Sequence, residues 1–103
     1  MSDKYILDGH NPVPARSLME WTNWFVENQA LRRVAEDTVG EVKISTVFLG
    51  IDYSFDSSGP PTLFETMIFG GPHNQWQKRC ATWDEAEAIH ARAVKLVRGG
   101  ETP

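Results

Sequence analysis

Polar and apolar positions set the reading of this chain, and the most informative stretch is EVKISTVFLGIDY at 41–53. Val42 and Ile44 share one parity, whereas Val47, Leu49 and Ile51 share the other. Strict alternation would place those groups on opposite faces, so the segment is either bulged near Ser45 and Thr46 or a central strand buried on both sides. The central strand is the simpler expectation. LRRVAEDTV at 31–39 precedes it, and the Val-Gly step predicts a hairpin centred on Gly40. After the loop DSSGPP at 56–61, TLFETMIF reads as a returning antiparallel strand closed by GGPHN. WQKRCA then predicts an edge strand whose basic residues discourage further pairing. At the other end KYIL, 4–7, reads as a short first strand, and DGHNPVP after it as a run of turn formers.

Two segments carry the helical period. Ser17 and Glu20 have the spacing of a capping box, with Pro14 as an alternative first-turn residue, so a helix is expected to begin between 14 and 18. Leu18, Trp21, Thr22 and Phe25 fall at i, i+3, i+4 and i+7, with Trp24 flanking, and predict one aromatic packing face ending near Asn28 or Gln29. Thr82 and Glu85 form a second box that opens a helix from 83 to about 98. Its apolar face is Trp83, Ala86, Ile89, Ala93, Leu96 and Val97, with Gly99 and Gly100 as the stop. The expected fold class is α+β: an antiparallel meander of three to five strands with two helices packed on one face.

Composition bounds what such a fold does. A chain of 103 residues with 41% hydrophobic content fits one compact domain over 1–103, with little room for a deep enclosed site. Fourteen acids against ten bases give a net charge of −4, which disfavours binding through phosphate neutralisation. Were nucleic acid a partner, Arg32, Arg33, Lys78 and Arg79 would be the basic patch. Cys80 is the sole cysteine, so no intrachain disulfide is available; a reducing compartment and a buried structural thiol are expected. MSDKYILDGHNP lacks a signal-peptide core, and no apolar run approaches the ~18 residues of a membrane span. A soluble cytoplasmic protein with no membrane partner is the expectation.

Candidate chemistry is sparse. Asp52 and Glu65 stand on the two apolar runs near their connecting loop, where paired acids could share a ligand or a proton if one were desolvated. The competing structural reading makes both of them outward-facing sheet residues. Asp8 and His10 occupy a turn, where an acid beside an imidazole could act as a base. Glu87 and His90 have E-x-x-H spacing, half of a di-metal signature that needs a second pair; His90 reads instead as a hydrogen-bonded core or boundary histidine. His73 and Trp76 lie in a loop where an aromatic could anchor a partner. FGGP lacks both phosphate-binding glycine patterns, and no hydrolase, kinase or C-x-x-C motif is present. No metal and no cofactor is expected.

The segments KYILDGHNPVP, LMEWTNWF, STVFLGIDYSF, PPTLFETMIFGG and TWDEAEAIHARAV, in this order over about residues 4 to 97, resemble a family of small uncharacterised proteins encoded by phages and prophages. The resemblance implies a small accessory protein acting in the host cytoplasm, and it carries no catalytic residue across. The functional expectation is a non-catalytic protein that binds a host protein or small ligand, such as a defence component, with Asp52, Tyr53, Glu65, His73 and Trp76 as contacts. Two alternatives stand beside it: a virion, assembly or self-associating protein presenting its sheet face to a second copy, and a small hydrolase using Asp52, Glu65 and His10.

Overall fold

A computed structural model of the chain describes residues 3–52 and 59–99. The elements run β1 (Tyr5–Asp8), β2 (Asn11–Pro14), α1 (Leu18–Glu27), a 3-10 turn (Gln29–Arg32), β3 (Arg33–Val39), β4 (Val42–Phe48), β5 (Phe64–Phe69), β6 (Gln77–Cys80) and α2 (Trp83–Val97). Strands β3 to β6 form an antiparallel meander in chain order, and β1 and β2 form a separate antiparallel ribbon. The α+β expectation holds, with both helices packed against the sheet.

DGHNPVP is where the turn reading gives way. Only its first half turns, through Gly9 at φ +62°, and NPVP returns as β2 opposite β1. Ala15 N–H donates to the Lys4 carbonyl at 2.9 Å, so the odd positions of this strand aim their donors at β1. Pro12 and Pro14 therefore direct their missing N–H groups away from the ladder, the placement that lets proline sit in an edge strand. The ribbon joins the rest of the chain through Tyr5 N–H to the Gly50 carbonyl, 2.8 Å, and Asp52 N–H to the Asp3 carbonyl, 2.9 Å.

Helix α1 begins as its spacing predicts, with Ser17 Oγ accepting from Glu20 N–H at 3.0 Å. The box is only half closed, because the Glu20 carboxylate takes the Arg16 N–H at 2.7 Å instead of its own cap residue's. Those bonds to Arg16 hold the Glu20 carboxyl below the usual glutamate range. The packing face is rotated from the expected one: Trp21, Trp24 and Phe25 turn inward, while Leu18 and Thr22 are exposed. Trp24 meets the Phe48 ring edge-on at 5.8 Å, and Trp21 Nε1–H donates to the Gly50 carbonyl at 3.1 Å. Phe25 lies over Gly50, whose φ of +77° and lack of a side chain allow that approach; a Cβ there would run into the ring.

Beneath α2 the core is layered by cross-strand pairs. On the face of β4 and β5 that meets the helix, Ile44 pairs with Ile68, Thr46 with Thr66 and Phe48 with Phe64, all almost wholly buried. Ala93 and Leu96 cover the isoleucines, while Ala86 and Ile89 pack with the phenylalanines. His90 bonds to the threonine layer between them. β4 lies between β3 and β5, but it is not buried on both sides as expected: Ile44, Thr46 and Phe48 are buried, whereas Ser45 and Val47 on the other face are only half-buried, and the register irregularity falls on its neighbour, between Arg33 and Ala35 of β3. Burying each Phe or Ile stabilises the fold by about 1.5–3 kcal/mol. Helix α2 opens with a complete capping box between Thr82 and Glu85 and is closed by Gly99, at φ +84°, whose N–H donates to the Leu96 carbonyl.

Candidate functional site

The residues singled out from the sequence fall at two separate places. Glu65 alternates with buried Phe64 and Thr66, so it points to the face away from the helices, where its Oε2 accepts from Arg79 Nε at 2.9 Å. Asp52 lies beyond the end of β4 and accepts from Thr62 N–H at 3.3 Å. Tyr53 lies outside the described residues. At the far end of β5, whose six residues span about 20 Å of extended chain, the carbonyl of His73 accepts from Trp76 N–H at 2.9 Å in the turn before β6. Trp76 packs on both halves of the core. His73 helps line a small slot of about 120 Å³ with Pro72 and Leu96. The sheet therefore separates Asp52 and Glu65 from His73 and Trp76.

The other sequence candidates also find partners within the fold. His10 stacks flat on Trp83, ring centroids 3.7 Å apart and planes within 4°, beside a shallow cleft of about 350 Å³ that Asp8 also lines. The Trp83 indole N–H is buried there with no acceptor among the described residues. Cys80 is buried with its thiol toward the Thr82 carbonyl, 3.7 Å away. Burial, with the nearby Glu85 charge, pushes that thiol up to about 11. A thiol so raised is a poor nucleophile near neutral pH.

An acid, imidazole and hydroxyl do line up, and none of the sequence motifs pointed to them as a set. Asp37 of β3 bonds His90 Nε2 at 2.8 Å, His90 Nδ1 bonds Thr46 Oγ1 at 2.7 Å, and Thr46 bonds Thr66 at 2.7 Å. An ionised carboxylate only accepts, so Nε2–H donates to Asp37. If Nε2 carries the ring's only proton, Nδ1 accepts from the Thr46 hydroxyl, whose oxygen in turn accepts from Thr66. In that arrangement the imidazole and both threonine hydroxyls each have a partner. The arrangement resembles a nucleophilic triad in its order of groups but not in access, because Thr46 and Thr66 are almost wholly buried under α2. It ties the edge strand to the helix through the polar layer of the core. Only its outer members, Asp37 and His90, reach a surface cleft of about 370 Å³ beside Lys95 and Arg98. Among the described residues no group of three or more His, Cys, Asp or Glu side chains is placed to hold a metal ion.

The most unusual surface is on α1. This helix has no fully buried residue, and its exposed flank carries Leu18 (52% exposed), Met19 (73%) and Val26 (69%), with Leu31 (60%) in the following 3-10 turn. Successive helical residues are separated by about 100°. Leu18, Met19, Thr22 and Val26 thus share one arc, opposite Glu20 and Trp24. The sequence reading placed Leu18 and Thr22 in the core because their spacing from Trp21 and Phe25 is helical; the bulk of Trp24 against Phe48 rotates them out. No helix of the described chain is long and apolar enough to cross a membrane. No protein family, curated protein or solved structure matches the chain.

Proposed function

We propose that this protein works by binding another protein, and that the outer arc of α1 together with Leu31 is its docking surface. The observation that carries the reading is the exposure of Leu18, Met19, Val26 and Leu31 within one short stretch, on a helix whose aromatic side is already satisfied by Phe48 and Gly50. Exposed large apolar groups gathered in one patch mark interaction sites, whereas scattered ones need no explanation. Glu27 is exposed at the C-terminal end of this helix, and the chain carries a net charge of −4. The partner that fits is therefore an apolar groove bordered by basic groups. The sequence resemblance to small phage-encoded proteins supports a protein of the bacterial host in that role.

Capture from bacterial lysate, comparing the tagged wild type with Met19→Glu/Val26→Glu, tests this directly. Both side chains are exposed, so the variant should keep the wild-type unfolding midpoint while losing a partner that the wild type retains. Nothing retained by the wild type, or a partner held equally by the variant, would overturn the reading.

A further inference from the structure

The largest cleft among those described lies between β6 and α2 and has a volume of about 440 Å³. Its helical wall is built at i, i+3, i+4 and i+7 by Glu85, Ala88, Ile89 and Arg92, and Lys78 and Cys80 reach it from the edge strand. Lys78 pairs with Thr66 and Cys80 with Phe64 across the β5–β6 ladder, which puts both on the helix side of the sheet. Two cations are thereby aimed at one groove. The floor between them is apolar, made by Cys80, Ala88 and Ile89, with Pro60 at the rim.

The charges of this groove are not balanced from within. Neither Lys78 nor Arg92 has an ion pair or side-chain hydrogen bond among the described residues, whereas Lys4, Arg16, Arg33, Lys43 and Arg79 each meet an acid. Glu85 is the acid in the lining, but its Oε1 already accepts from Ala81 N–H, Thr82 N–H and the Thr82 hydroxyl at 3.1–3.3 Å. It is committed to the helix cap. Two unpaired cations flanking an apolar floor, on a chain that is acidic as a whole, make a local site for an anion attached to an apolar body. The guanidinium offers a planar fork of donors and the ammonium a point charge, a combination suited to a phosphate.

We infer that this groove binds a small phosphorylated molecule, its phosphate between Lys78 and Arg92 and its apolar part on Cys80, Ala88 and Ile89. The site is independent of the α1 surface, so the failure of one leaves the other standing.

The test is calorimetric titration of the full chain with phenyl phosphate and, separately, with inorganic phosphate. Phenyl phosphate should bind at least about tenfold more tightly, because the apolar floor adds to the charge contacts. Lys78→Ala and Arg92→Ala should each weaken phenyl phosphate by about tenfold, and Ala88→Glu, at an exposed position, should abolish binding by placing a carboxylate in the groove. Lys95→Ala, over the cleft on the other flank of α2, should leave affinity unchanged and controls for general loss of positive charge. Absence of binding at millimolar phenyl phosphate would overturn the proposal. So would equal affinity for both probes, or binding that survives Lys78→Ala/Arg92→Ala in a protein with the wild-type melting curve.

Discussion

Replacing Thr46 by valine keeps the shape of a wholly buried side chain and removes its hydroxyl, leaving both His90 Nδ1 and the Thr66 hydroxyl without their partner. A buried polar group left unsatisfied costs about 1–3 kcal/mol, so Thr46→Val should lower the unfolding free energy measured in urea by an amount in that range or above it, with a lower midpoint. Thr46→Val/Thr66→Val should cost less than the sum of the two single changes, because it removes an orphan hydroxyl along with its partner. An unchanged midpoint in the single variant would mean that the polar layer contributes nothing. Cys80 gives a second residue-scale expectation. Its thiol is raised from about 9 to about 11, so above pH 9 the unfolded chain releases a proton that the folded chain retains. Stability should fall as pH rises through that window, and Cys80→Ala should remove this part of the slope in chemical unfolding measured at successive pH values. The buried role of Cys80 was readable from its being the sole cysteine without an activating pattern. That of Thr46 was not, because its partners lie 20 and 44 residues further along, and no local spacing announces a bond between them.

Among the elements, the two helix starts differ in a way that invites comparison. Thr82 and Glu85 close their box in both directions, whereas Glu20 turns to Arg16 and leaves the Ser17 box half made. Thr82→Ala should therefore destabilise by about 1–2 kcal/mol, within the usual range for lost caps, and Ser17→Ala by less; thermal unfolding of the two variants measures the difference. Equal effects would mean that the reciprocal bond adds nothing. Both starts were legible because the signal is local, a hydroxyl and a carboxylate three residues apart. So was the Gly40 hairpin, whose turn residue has φ +61°. β2 was illegible for the opposite reason: Pro12 and Pro14 read as breakers, and only the direction in which their nitrogens face makes them compatible with pairing. The facing of α1 was half legible, since the helical period selects an arc but the fit of Trp24 and Phe25 against Phe48 sets its rotation.

At the scale of the molecule, the meander carries α2 on its layered face, and α1 spans from the β1–β2 ribbon to Phe48 with one side uncovered. The sequence candidates are polar or aromatic residues near loops, and the sheet disperses them to opposite ends of β5. The surfaces with the stronger physical case come from residues that draw little notice in a sequence: Met19 and Val26 within an ordinary amphipathic pattern, and Lys78 and Arg92, which only the packing of α2 beside β6 brings together. An apolar arc that is exposed in the isolated chain should lie at the centre of a complex, where a few residues carry most of an interface's binding energy. The measurement that tests this most directly is the dissociation constant of the captured partner for the wild type and for Met19→Glu/Val26→Glu, by calorimetry on purified proteins. A loss of about a hundredfold, with the unfolding midpoint unchanged, is the predicted result. Equal affinities would show that the partner docks elsewhere and contradict the assignment of α1.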